Sequence, residues 1–126
     1  MPEQQNIEWK QSWRDEYLQW VSGFANANGG AIYIGKNDSG EVVGVSNYKN
    51  LLDELPNKIR DTTGIVCEIN LHEEDGKFFI EILVDTFSSP VSYRGKFYLR
   101  SGSTNQLLNG SALEDFILKK GSRSRQ

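Results

Sequence analysis

"FANANGGAIYIGKNDSGEVVGV", residues 24–45, sets a helix end, a strand, a turn and a second apolar run side by side. Phe24 closes an apolar series of Trp13, Tyr17, Trp20, Val21 and Phe24. Its spacing predicts an amphipathic helix over about 13–27, with the aromatic stripe in the core. Asn26, Asn28, Gly29 and Gly30 then form the turn that stops it. Glycine takes the left-handed backbone that a helix C-terminus often needs, and asparagine is the next best residue there. Ala31–Ile34 and Val42–Val45 read as strands joined by the turn Asn37-Asp38-Ser39-Gly40.

Outward from this stretch, Tyr48, Leu51, Leu52, Leu55 and Ile59 mark a second helix, which Pro56 is expected to kink or break. Cys67, Ile69 and Leu71 alternate with polar neighbours, as do Phe78, Ile80, Ile82 and Val84 after Asp75-Gly76, which predicts a hairpin. A second hairpin joins Val91–Tyr93 to Phe97–Leu99 through Arg94-Gly95. Ser111 and Glu114 form a capping box opening a last helix with Leu113, Phe116 and Ile117. The expected fold is α+β: a mixed, mainly antiparallel sheet of about six strands with three helices mainly on one side. Phe24, Ile32, Ile34, Val43, Ile80, Ile82 and Phe116 are its expected core, with Glu81 outward. Residues 1–120 are expected to form one domain, and 121–126 ("GSRSRQ") a disordered tail or the start of a linker.

With 37% hydrophobic and 25% charged residues, the composition is that of an ordinary globular chain. No apolar run approaches the ~20 residues a membrane span needs, and no signal peptide opens the chain, so a cytoplasmic protein without a membrane partner is expected. The single cysteine, Cys67, reads as a buried structural thiol, and the single histidine, His72, as an exposed strand-end residue. Ser-His-Asp and Cys-His catalysis and a structural zinc site are thereby disfavoured. "RSGSTN" (100–105) lacks the lysine of a nucleotide-binding loop, and no helix follows the glycines of "GGAIYIG". The formal net charge of -3 is not that of a strongly basic binder, yet basic residues gather late in the chain.

Three blocks together resemble the Schlafen-type AlbA-like domain. "EQQNIEWK" (3–10) is similar to its E-x4-E-[FW]-K opening. Residues 24–45 resemble its central signature, an AFAN-x-x-GG run, a strand ending in IG, an acidic turn and a strand ending in VG. "SSPVSYRGKFYLRSGSTNQ" (88–106) resembles its late block ending in R-x-G-S-x-N. The resemblance implies an α/β fold and nucleic-acid binding, to DNA or RNA. Bacterial members look like DNA-binding transcriptional regulators, often joined to a C-terminal ATP-binding domain. Animal members carry two such lobes around a groove for transfer RNA, and some cut it with three carboxylates and a divalent metal. The matching positions are Glu3, Glu8 and Asp38, which would hold Mg²⁺ or Mn²⁺. Each also has a plainer reading: Glu3 as a solvated terminal residue, Glu8 as the partner of a buried cation, Asp38 as a turn residue bonding its own backbone.

Lys10 shares a face with Glu8 if that segment is extended, where it either meets a phosphate or balances Glu8. Arg94 and Lys96 flank a hairpin tip that suits phosphate contact or simple solvation. Arg100 precedes Ser101 and Ser103, whose hydroxyls and backbone N–H groups suit a phosphate. Lys119, Lys120, Arg123 and Arg125 form a basic tail. The leading expectation is a nucleic-acid-binding module of a regulator without catalysis of its own, working as a homodimer. The alternatives are a metal-dependent ribonuclease and a protein-interaction or oligomerisation domain.

Overall fold

The alternation at Lys77–Val84 makes β4, the strand that holds the first sheet together. Ile80, Ile82 and Val84 point to one side and are buried, while Glu81 points to the other, as the pattern predicts. The computed structural model describes residues 6–124, with side chains through Lys120. Four strands form this sheet in the order β1-β2-β4-β3: β1 (Ile7–Lys10), β2 (Gly30–Ile34), β4, and β3 (Glu68–Glu74). β1 runs parallel to β2 and the other pairs are antiparallel. The parallel pair is connected through a 3-10 turn, Asp15–Tyr17, and α1 (Leu18–Asn26). β3 and β4 join through Asp75 and Gly76, both at positive φ (52° and 78°), as a two-residue hairpin requires.

A second sheet, in the order β5-β6-β7, comprises β5 (Ser92–Tyr93), β6 (Lys96–Ser101) and β7 (Thr104–Leu107). The α+β class and the three helices are as expected, but α1 begins at Leu18 and not near residue 13: Asp15–Tyr17 form a 3-10 turn and Trp13 lies before it. Among the described residues, however, the strands number seven and divide between two sheets. β1 and β7 escape the pattern reading because each has only four residues. The expected strand at Val42–Val45 is absent: Val42 makes one isolated bridge to Lys36, and Val43 is 41% exposed rather than in the core. Gly35 and Gly44 take positive φ there, and the N–H groups of Val43 and Gly44 both donate to the Gly35 carbonyl, which turns the chain off the sheet.

α2 (Tyr48–Thr63) runs unbroken through Pro56. The ring lies on the exposed side, where water can satisfy the carbonyl it leaves unpaired. α2 ends at Gly64 in the left-handed region (φ 80°). Leu51, Leu55 and Ile59 of α2 meet Leu18, Val21, Phe24 and Ala25 of α1 over the inner face of the first sheet, making the core. α3 (Gly110–Ser124) begins one residue before the expected cap, and its Phe116 is only half-buried.

Candidate functional site

β1 places Glu8 on the inner face of the first sheet, in register with Ile32. The carboxylate is buried, at 6% side-chain exposure, so it needs a counter-charge. Arg100, at 3%, reaches from β6 in the second sheet and donates from Nη1 to Glu8 Oε1 at 2.7 Å. Its Nη2 donates to the Ile7 carbonyl at 3.1 Å, and its guanidinium lies 4.9 Å from the centre of the Phe24 ring. Lys10, on the same face as Glu8, pairs with Oε2 at 3.0 Å. Gly30 closes the cluster from below: a Cβ there would stand 2.5 Å from the Phe24 ring and 2.7 Å from the Asn6 carbonyl. Gly29 is needed for its backbone, at φ 78°. A cavity of about 120 Å³ adjoins Arg100, lined by Asn6, Ala27, Asn28, Gly29, Arg100 and Gly102.

Asn26 is not simply part of the turn. As the last residue of α1 it is buried, and its amide donates to the carbonyls of Val91 and Tyr98, each at 2.8 Å, and accepts from Val91 N–H at 2.7 Å. Ser22, one helical turn earlier, donates to the Val91 carbonyl at 2.8 Å. Asn105 of β7 donates to the Gln19 carbonyl at 3.0 Å, and its Oδ1 packs directly on Gly23. Glu8, Phe24, Asn26, Gly30, Arg100 and Asn105 thus join the first sheet, α1 and the second sheet. Ser22 and Gly23 were missed in the sequence. Small and polar residues beside an apolar stripe were the available signal that α1 packs on two sides.

Asp38 is exposed, and among the described residues its carboxylate makes no hydrogen bond or ion pair. Asn37 organises that turn instead, its Oδ1 accepting from the N–H groups of Ser39 and Glu41 at 3.0 Å each. The turn rests on Trp9: a Cβ at Gly40 would stand 2.7 Å from the indole. Trp9 and Glu8, neighbours on one strand, point to opposite faces of the sheet. Glu3 lies outside the described residues. Both Glu8 oxygens already face cations, so this carboxylate does not fit the role of a ligand to Mg²⁺ or Mn²⁺ as the fold holds it. Among the described residues no group of three His, Cys, Asp or Glu could hold a metal.

Arg94 and Lys96 are exposed at the β5–β6 hairpin tip, and neither is in an ion pair among the described residues. Ser101 and Ser103 are exposed at the far end of β6. Lys119 pairs with Asp115 at 2.9 Å, and Lys120 is buried with Nζ donating to the Phe87 carbonyl. Arg123 belongs to α3, with its side chain outside those described, and Arg125 lies outside the described residues. Burial and the nearby Asp85 push the Cys67 thiol up to about 12, which leaves it protonated and inert at neutral pH. On the outer face of the first sheet, Glu81 accepts from Tyr33 at 2.9 Å and Asn70 at 3.1 Å, with His72 Nε2 3.0 Å away. No helix is long and apolar enough to cross a membrane among the described residues.

The sequence profile of the family described as Schlafen, AlbA_2 matches residues 3–109. The fold is similar to part of the DIP2311 protein from Corynebacterium diphtheriae, with a TM-score of 0.74 and 16% identity over 94% of this chain. That match takes in 24% of DIP2311, so this chain spans about a quarter of that protein's length. It is also similar to the N-terminal domain of a Nitrosomonas europaea protein named for its relation to the ATP-dependent DNA helicase RecG. There the TM-score is 0.63 and the identity 19%, over 88% of this chain and 84% of that one. At these identities the likeness is one of fold. No curated protein matches the chain in sequence.

Proposed function

The chain belongs to the Schlafen, AlbA_2 family, and from that premise we propose that it binds nucleic acid through phosphate contacts, as the DNA-contacting part of a transcriptional regulator. The observation that carries the reading is the β5–β6 hairpin tip. Arg94 and Gly95 both take positive φ (51° and 80°), a tight turn that projects Arg94 and Lys96 into solvent. Lys58, by contrast, is paired with Asp15 at 2.9 Å and with Glu54 at 3.6 Å. Cations without carboxylate partners lose little on meeting a phosphate and release its counterions. The name of the Nitrosomonas europaea relative, tied to a DNA helicase, agrees with this reading. The proposal contains no catalytic step, because Glu8 is committed to Arg100 and Lys10. It includes a homodimer, since a two-fold pair is the commonest way for one lobe to acquire a second.

The test is a salt titration of binding to labelled DNA and RNA. Affinity should fall linearly with log salt, and the double variant Arg94→Ala, Lys96→Ala should lower that slope by about 2. A slope unchanged by the double variant would remove the hairpin tip from the interface.

A further inference from the structure

Trp13, Tyr17 and Trp20 were expected in the core, but all three are half-buried. The core side of α1 is Leu18, Val21 and Phe24, at 1%, 0% and 0% exposure. The three rings form a ladder, with centroids 5.9 and 5.8 Å apart and each neighbouring pair of planes at 89°. Trp13 and Trp20 pack against the core. They are therefore held in place while still reaching solvent. Lys10 Nζ sits at one end, 4.6 Å from the centre of the Trp20 ring and 5.0 Å from that of Tyr17. At the other end, Trp13 Nε1 donates to Asp15 at 2.7 Å. Hydrogen bonds from Lys58 and Trp13 hold the Asp15 carboxyl below its ordinary range, and β5, which leads into the hairpin tip, packs against both α1 and α2.

The carboxylates along the ladder are each engaged: Glu8 by Arg100 and Lys10, Asp15 by Lys58, Glu16 by Arg14. Lys58 also meets Glu54 at 3.6 Å, while Arg94 and Lys96 at the tip are in no ion pair among the described residues. Rings held rigid between cations are the two parts of a platform for unpaired bases, because every base has a face to stack and every nucleotide a phosphate.

The geometry points to a binding site for single-stranded nucleic acid, with bases stacked on Trp13, Tyr17 and Trp20 and the backbone running between Lys10 and the Arg94–Lys96 tip. This rests on the nucleic-acid reading above and narrows it: a closed duplex hides its base faces and cannot use the ladder. Trp9 leaves β1 on the opposite face of the sheet from Lys10, so a Trp9→Phe background leaves Trp13 and Trp20 as the fluorescent reporters.

In that background, an oligo-dT of about a dozen nucleotides should quench the tryptophan fluorescence, and a duplex of equal length should not. Tyr17→Leu should weaken oligo-dT binding about tenfold or more, while Tyr17→Phe, which keeps the ring, should bind as the parent does. If Tyr17→Leu does not fold by circular dichroism, Trp13→Leu replaces it, with the same expected loss. Salt-dependent binding without quenching, or undiminished affinity in the ring-removing variant, overturns this site and leaves nucleic-acid binding standing. Failure to bind any DNA or RNA overturns both.

Discussion

Glu8 and Arg100 are the residues on which two sheets depend. A buried carboxylate and guanidinium stabilise little as a pair compared with an apolar pair of the same volume, but removing one strands the other. Glu8→Gln leaves Arg100 and Lys10 facing a neutral amide and should destabilise by about 3 kcal/mol in urea unfolding. A loss under about 1 kcal/mol, the size expected of an exposed pair, would mean that water reaches the cluster. The same geometry decides how any nuclease assay is to be interpreted. Activity lost in Glu8→Gln would report a loosened fold as readily as a lost metal ligand. Asp38→Asn is the clean variant, because that carboxylate is exposed and holds nothing in place.

Among the elements, β4 carries a polar cluster away from the ion pair, centred on Glu81. Burial raises the pKa of Glu81, but hydrogen bonds from His72, Asn70 and Tyr33 outweigh it and bring the carboxyl below its ordinary 4.5. A carboxyl with a depressed folded-state pKa contributes stability above its unfolded pKa and loses it as pH falls through the folded value. Wild-type protein should therefore lose more stability than Glu81→Gln between about pH 5 and about pH 3 in paired urea titrations. Parallel curves across that window would assign the acid sensitivity to other groups. α1 packs on the core with one side and on the second sheet with another, through Ser22, Gly23 and Asn26, and of the ring ladder it carries only Trp20, since Tyr17 belongs to the 3-10 turn and Trp13 precedes it. Helical periodicity finds the first of these faces because apolar residues mark it. It misreads the aromatic series, because Trp13 and Tyr17 keep helical spacing while lying ahead of the helix, and a half-covered ring looks the same in sequence as a covered one.

For the molecule as a whole, α3 exposes Ile117 at 40% and Leu118 at 71%, with Leu107 of β7 at 46%. The proposed homodimer would use these residues. Light scattering should then give a mass near twice the 14.3 kDa of one chain, and the double variant Ile117→Glu, Leu118→Glu should return it to one. A wild-type mass of one chain, unchanged by added DNA or RNA, would dismiss the dimer. The α+β class, the helix of residues 48–59, the β3–β4 register and the Gly29 turn were legible in the residues, because each rests on local periodicity or on a backbone only glycine adopts easily. The family was legible too, since its three blocks lie in order along the chain. What the blocks do was not legible. Residues 8, 24, 26, 30, 100 and 105 are scattered over the sequence, and only the tertiary fold brings them together. The fold sets Arg100 against Glu8 across two sheets, turns Asp38 away with Trp9, and leaves Arg94 and Lys96 outside any ion pair among the described residues. Charge pairing and exposure depend on distances between segments remote in sequence, and chain packing alone sets those distances.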